Sequence, residues 1–335
     1  MKIADFNTDE EILVIAEIGN NHEGSYSLAE EMIGLAAEAG AGAVKFQTIV
    51  PEKLVSLQQK ERIAQLKRFQ LSYQDFERLS EVAKQENIIF LSTPFDIESA
   101  RFLEPLVVAY KIGSGDNNFY PLIDVIARTG KPVIMSSGLM DLEEVKKSVD
   151  FISQIWNKNA IDQEMAVLQC VTSYPSPPNE VNLLTIRELQ RLNVTAGYSD
   201  HTLGIEAALL STALGARIIE KHFTIDKNYS DFRDHQLSAD PAELTQLVER
   251  IKEASILLGR SNKNVQESES SLSIAARRSL VAAQDLEKNC TITWENLSWV
   301  RPGGGIAPGN EEMILGKKLK TALKAGEMIL PDNVA

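Results

Sequence analysis

The sequence predicts an α/β protein, a (β/α)8 barrel followed by a small β-rich domain. Three observations predict it. Short runs rich in Val and Ile recur with helix-like stretches between most of them. The texture turns polar and Ser-rich after Leu258. Lys, Ser, Thr and His cluster at the C-terminal end of nearly every apolar run, where a barrel keeps its chemistry.

The strand-like runs are residues 12–18, 43–48, 88–92, 108–113, 132–137, 166–172, 194–199 and 217–223, eight in all. Between the first two, Leu28, Met32, Leu35 and Ala39 recur at spacings of three and four, which predicts a helix over 28–39. After the eighth, Pro241 opens a stretch with Leu244, Leu247, Val248 and Ile251 on one face, which predicts a helix over 241–258. Strands alternating with helices give a parallel sheet, and eight such units close into a barrel. An open doubly wound sheet is the rival, but no G-x-G-x-x-G follows the first run. The catalytic barrel is therefore placed at 1–258. Residues 259–276, GRSNKNVQESESSLSIAA, read as a linker. Residues 277–335 read as a separate small domain, with short alternating runs and a glycine-rich turn, RPGGGI, at 301–306. So small a domain has a thin core, which predicts packing against the barrel or a second subunit.

Composition excludes several classes. Hydrophobic residues make up 44% and charged residues 24% of 335, enough apolar material for a large core. No apolar run approaches the ~20 residues of a spanning helix. MKIADFNTDEE has no apolar signal core, so a cytoplasmic setting is expected. The net charge of −13 argues against a nucleic-acid surface. Cys170 and Cys290 form no CxxC pair, so neither a thiolate metal site nor a disulfide framework is signalled. Cys170 reads as a small core residue.

The strand ends carry the chemistry. In order they are AEIGNNHEG, KFQT, STPFD, KIGSGD, SSGL, CVTSYPSP, GYSDHT and EKHFT. Lys45 and Lys111 sit inside otherwise apolar strands, and a buried lysine is costly unless paired. Either they form structural ion pairs or they receive an anion, with Thr93, Ser114 and Ser136 adding hydroxyl donors. One of them could instead form a Schiff base. His201 and His222 end consecutive strands, with Asp200 and Glu220 beside them, and can converge on a divalent cation completed by water and substrate. Mn2+ or Mg2+ suits such open coordination. Glu17 and Gln47 end the first two strands. A partly buried Glu17 is either a core ion pair or a general acid/base. His22 reads as a loop histidine. Asp234 binds ligand or caps the next helix, and Tyr174 packs or touches ligand.

The series AEIGNNHEG, KFQT, STPFD, KIGSGD, SSGL, GYSDHT and EKHFT, in that order, resembles the sialic acid (N-acetylneuraminate) synthase family, with its bacterial legionaminic and pseudaminic acid relatives. The stretch from ARRSL (276–280) to RPGGGI resembles that family's SAF, or antifreeze-like, domain. The resemblance implies condensation of phosphoenolpyruvate with an N-acylated mannosamine-type sugar, giving a nonulosonic acid and phosphate. It implies that Lys45, Thr93, Lys111, Ser114, Ser136 and Ser199 hold phosphoenolpyruvate. His201 and His222 would hold the metal, and Glu17, Gln47 and Glu220 would flank the reacting centre. Tyr174, Asp234 and Arg301 would face the sugar, Arg301 from the partner subunit of a domain-swapped homodimer. Thr172, Arg277, Arg278 and the loop NYSDFRDH (228–235) depart from the family's common forms. A 6-deoxy diacetamido sugar is therefore an alternative acceptor, and a Schiff-base aldolase or a non-catalytic carbohydrate-binding protein are the rival classes.

Overall fold

In the computed structural model, which describes residues 1–335 apart from the side chain of Arg233, the chain divides into two compact units, Met1–Gly259 and Arg260–Ala335. The first is an eight-stranded parallel barrel. Its strands are β1 (Leu13–Gly19), β2 (Ala43–Thr48), β3 (Ile89–Pro94), β4 (Tyr110–Ile112), β5 (Val133–Ser136), β6 (Met165–Cys170), β7 (Thr195–Asp200) and β8 (Ile218–His222). Each matches a run anticipated from the sequence to within a few residues. The ladder runs β3-β2-β1-β8-β7-β6-β5-β4, and β3 and β4 lie against each other to complete the ring.

Alternation along each strand sorts side chains into two cores. Val14, Ala16, Val44, Phe46, Phe90, Tyr110, Met135, Val167, Tyr198 and Ile219 point outward and meet the helices. The inward core contains Leu13, Ile15, Ala43, Leu91, Ala109, Ile134, Leu168 and Ile218. An N-terminal hairpin pairs Lys2–Ile3 with Phe6–Asn7 and adds Met1 and Ile3 to the same core, at the strands' N-terminal end. Gly197 keeps this interior passable: a Cβ there would lie 2.3 Å from Leu168 Cδ2 and 2.5 Å from the Ile218 carbonyl oxygen.

The helices begin and end where capping chemistry allows. Helix α1 (Tyr26–Glu38) starts at Ser25, whose side chain accepts from the Leu28 amide. Helix α2 (Lys60–Phe69) belongs to the long excursion between β2 and β3, and α3 (Arg233–Leu237) to the loop after β8. Helix α4 (Pro241–Leu258) has Pro241 in its first turn and Asp240 as its cap, the side chain accepting from the Glu243 amide. The cap is thus Asp240, which leaves Asp234 for another role.

In the second unit, β9 (Ser279–Ala282) pairs antiparallel with β10 (Leu297–Val300) over a small core that includes Leu280, Ile292, Ile306, Leu319 and Ile329. Ser279 Oγ donates to the Pro302 carbonyl and accepts from the Gly305 amide, which holds the glycine-rich turn against β9. The segment before β9 is not wholly irregular: Leu272–Ala275 is a short helix, and the Gly303 amide donates to the Ile274 carbonyl. Among the described residues no helix is long and apolar enough to cross a membrane.

Candidate active site

The inward positions change character along every strand. Leu13 and Ile15 lead to Glu17, Ala43 to Lys45 and Gln47, Leu91 to Thr93, and Ala109 to Lys111. On the other side Ile134 leads to Ser136, Leu168 to Cys170, Gly197 to Ser199 and His201, and Ile218 to Glu220 and His222. Apolar layers therefore fill one end of the barrel. The other end holds a cavity of about 190 Å3 walled by these polar side chains and by Ser114, Thr172 and Tyr174 from the loops.

Its charges are paired at close range. Lys45 Nζ lies 2.9 Å from Glu17 Oε2 and 3.5 Å from Glu220 Oε1. Lys111 Nζ lies 3.7 Å from Glu220 Oε2. All four side chains are buried. Burial pushes the Glu17 carboxyl above its usual range, only partly countered by Lys45. Burial also works to raise Glu220, but Lys111, Lys45 and His201 outweigh it and hold that carboxyl low. Lys45 is raised, because Glu17 and Glu220 overcome the desolvation that would lower it. Lys111 is lowered by burial, against the pull of Glu220. Two lysines therefore face two carboxylates inside the cavity, and burial shifts one of those carboxylates, Glu17, toward its neutral form.

The hydroxyls are arranged around these cations. Lys45 Nζ donates to Thr93 Oγ1 at 3.2 Å and Lys111 Nζ to Ser136 Oγ at 2.7 Å. An ammonium can only donate, so each hydroxyl keeps its own proton for a ligand oxygen. Ser199 Oγ donates to Glu220 Oε1 at 3.4 Å. Ser114 Oγ accepts from the Gly138 amide at 3.2 Å. Thr172 Oγ1 is buried with no hydrogen-bond partner among the described residues, an orphan that a bound oxyanion would satisfy. Asn117 Nδ2 donates to the carbonyls of Ser136 and Gly138, fixing both edges of this wall.

At the mouth, Gln47 Nε2 donates to Glu17 Oε1 at 2.8 Å, and Asn20 Nδ2 donates to Gln47 Oε1 at 3.1 Å. The rings of His201 and His222 are 5.4 Å apart, and the Tyr174 ring lies 4.1 Å from His201 and 5.8 Å from His222. His201 Nδ1 is 2.8 Å from the Val171 carbonyl oxygen. A carbonyl only accepts, so Nδ1 carries a proton, and in the neutral ring Nε2 keeps a lone pair for a cation. Among the described residues no group of three or more His, Cys, Asp or Glu is placed to hold a metal. The pair fits an ion completed by water or substrate, and not a closed structural site.

Beyond Gln47, Tyr174 and His222 opens a second cavity of about 970 Å3, which these three residues also line. Asp234 stands on its wall, from α3, as do Arg62, Gln65, Arg68 and Phe69 of α2. Of the residues singled out in the sequence, the structure brings together Glu17, Lys45, Gln47, Thr93, Lys111, Ser114, Ser136, Tyr174, Ser199, His201, Glu220 and His222, with Asp234 just outside. Arg301 lies in the second unit, exposed, at the end of β10.

The structure adds detail to three readings. Cys170 is buried but belongs to the cavity wall, its Sγ 3.8 Å from His201 Nδ1. Asp200 faces the opposite way from the histidines. It pairs with Lys221 at 2.8 Å, and its second oxygen accepts from Tyr198 and the Thr202 amide. His22 is a loop histidine with a local hydrogen bond, as expected, but it is buried: its Nδ1 accepts from the Gly24 amide, and burial lowers its pKa to about 4. Asn117 and the α2 side chains were not anticipated. Only the polar run after β4 hinted at the former.

The chain is similar to known proteins over most of its length. The NeuB family model matches residues 32–263, and the SAF domain model matches residues 277–335. The N,N'-diacetyllegionaminic acid synthase of Legionella pneumophila is 37% identical over 96% of this chain and 94% of its own length. The pseudaminic acid synthase of Campylobacter jejuni is 33% identical over 98% of each chain. The crystal structure of N-acetylneuraminic acid (sialic acid) synthetase from Leptospira borgpetersenii, in complex with citrate, superposes with a TM-score of 0.76 at 33% identity, covering 81% of this chain and 94% of that one. The chain is an enzyme of the NeuB family, a barrel followed in sequence by an SAF domain.

Proposed function

We propose that the protein condenses phosphoenolpyruvate with an N-acylated mannosamine-type sugar, forming a nonulosonic acid and releasing phosphate. The observation that carries this is the inner cavity. Two buried ammonium groups, each holding a hydroxyl whose proton points elsewhere, stand beside two imidazoles at the C-terminal mouth of the barrel. Such a donor set matches a small phosphorylated carboxylate. The named relatives support the product class, and the legionaminic acid synthase supports a 6-deoxy diacetamido sugar as the acceptor.

In this reading Lys45, Lys111, Thr93, Ser114, Ser136 and Ser199 bind and neutralise the phosphate and carboxylate, with Thr172 as a further donor. The sugar enters through the outer cavity and lies between Tyr174 and Asp234. C3 of the enolpyruvate attacks the sugar aldehyde, the C2 cation takes up water, and the tetrahedral intermediate loses phosphate. Glu17, raised by burial and oriented by Gln47, is the group placed to give or take a proton at the reacting centre. Glu220 faces both lysines and favours their charged forms. His201 and His222 would hold a divalent cation, Mn2+ or Mg2+, which supplies Lewis-acid polarisation of the aldehyde. Arg301 would reach the sugar from the partner in a domain-swapped homodimer, in the cytoplasm.

The test is phosphate release from phosphoenolpyruvate with N-acetylmannosamine or 2,4-diacetamido-2,4,6-trideoxymannose, with Mn2+ and again with EDTA. Release that needs both sugar and metal is expected. Metal-independent activity together with borohydride trapping of a pyruvate adduct on Lys111 would overturn it, since that lysine's lowered pKa is what a Schiff base needs.

A further inference from the structure

One wall of the outer cavity takes no part in the reaction above. Glu23 stands on it, in the turn after β1, with a left-handed φ of 49°. Gly24 follows, and the backbone of Arg68 packs so closely there that a Cβ would come within 2.2 Å of its carbonyl oxygen. The end of α2 is thereby fixed against the turn.

The Glu23 carboxylate is held from behind. Its Oε1 accepts from Ser230 Oγ and lies 3.1 Å from His235 Nε2, which must donate because a carboxylate oxygen cannot. His235 is fully buried, and its Nδ1 rests on Thr224 Oγ1 at 2.6 Å, so both ring nitrogens are anchored. Ser230 Oγ also accepts from the Phe232 amide at 3.0 Å. One hydroxyl thus positions the carboxylate and the aromatic ring together. Phe232 in turn packs on Phe69 of α2, with ring centroids 4.7 Å apart, and both line the cavity half-buried. With Oε1 taken by two donors, Oε2 is the oxygen left for a ligand.

A fixed acceptor oxygen beside an apolar aromatic pair fits a secondary amide: the N–H meets the oxygen and the acyl methyl meets the rings. An anionic substituent would meet a fixed negative charge. Arg62 and Arg68 line the same cavity but are exposed and screened by water. We propose that Glu23 selects an acceptor sugar that carries a second acylamido group on the side away from its aldehyde, the N–H donating to Glu23 Oε2 and the acyl methyl packing on Phe69 and Phe232. This assignment rests on the synthase reading and names its acceptor class.

Calorimetric titration of the Mn2+-loaded full-length protein tests it. The probes are 2,4-diacetamido-2,4,6-trideoxymannose, N-acetylmannosamine and N-acetylmannosamine 6-phosphate. The wild type should bind the diacetamido sugar about tenfold tighter than N-acetylmannosamine. In E23Q the amide oxygen goes to His235 and Ser230, so an NH2 replaces Oε2 and opposes the sugar's own donor. That substitution should erase the preference. Ser230→Ala, which loosens the carboxylate without removing it, should shrink the preference and serves if E23Q fails to fold. Equal wild-type affinity for the two neutral sugars would overturn the assignment, as would an E23Q loss common to both. Tighter binding of the 6-phosphate would give the wall to Arg62 and Arg68 instead. Phosphate release, run in parallel, judges the reaction separately: its absence with every sugar sinks the synthase reading, while the binding preference still decides Glu23.

Discussion

Replacing Lys111 by methionine removes one of the two cations of the inner cavity and keeps most of its volume. Lys111 is 1% exposed, donates to Ser136 Oγ and the Ile112 carbonyl, and faces Glu220 at 3.7 Å. Two effects follow, and they separate. For binding, a hydrogen bond to a charged group contributes about 1.5–3 kcal/mol, so the KM for phosphoenolpyruvate should rise roughly 10- to 150-fold. For folding, truncating one member of a buried pair costs about 3–5 kcal/mol when the other is left alone. Glu220 is not left alone, because Lys45 remains 3.5 Å away, and methionine avoids the desolvation that lowers the Lys111 pKa. The variant should therefore melt within a few degrees of the wild type. Phosphate release at varied phosphoenolpyruvate and saturating sugar reads the first effect, and a thermal melt reads the second. A phosphoenolpyruvate KM within about threefold of wild type, or a rise confined to the sugar KM, would refute the reasoning.

Glu17→Gln should lower kcat by at least about 100-fold if proton transfer passes through that carboxyl, and it should remove from the pH profile a limb lying above the ordinary carboxylate range. An unchanged profile would remove Glu17 from the chemistry. Gly138→Ala puts a Cβ 2.2 Å from Thr172 Oγ1 and 2.6 Å from Ser114 Oγ, so the wall must shift; a higher phosphoenolpyruvate KM is expected, and an unaltered one would place these hydroxyls outside the anion site. His22 governs an acid-side loss of stability. The unfolded chain takes up its proton below 6.5, whereas the buried ring does so only near a pKa of about 4. Stability present above 6.5 is thus lost as pH falls toward 4, on the order of 3 kcal/mol. In His22→Asn that part of the pH dependence should vanish, and denaturant midpoints from pH 7 to 4 measure it.

Much of the site could be read from the sequence because the strand period is two and the barrel has one reactive end. Lys45 and Lys111 stood out as charges inside apolar runs, and both point inward as that reading required. The same period explains Asp200. Ser199 and His201 point into the barrel, so the residue between them must point out, and the sequence alone does not show that Lys221 waits there for it. Cys170 is buried as expected, but its place on the cavity wall was not legible, because a thiol suits either face and its strand carries no charge to mark the inward one. The outer cavity was least legible. KERIAQLKRF has the pattern of any amphipathic surface helix, and only the fold of the β2–β3 excursion brings Arg62, Arg68 and Phe69 to the barrel mouth. Likewise Glu23, Ser230 and His235 are joined across more than 200 residues by packing that no local motif encodes.

The most direct test of the condensation is to run the reaction in 18O-labelled water and weigh the phosphate. Attack of C3 on the aldehyde with water entering at C2 breaks the C–O bond, so the phosphate leaves with its original bridging oxygen. The account predicts unlabelled phosphate, released only when sugar and metal are present, with the label entering the nonulosonic acid at C2. Labelled phosphate would mean that water attacks phosphorus, and it would contradict a carbon–carbon bond-forming synthase outright.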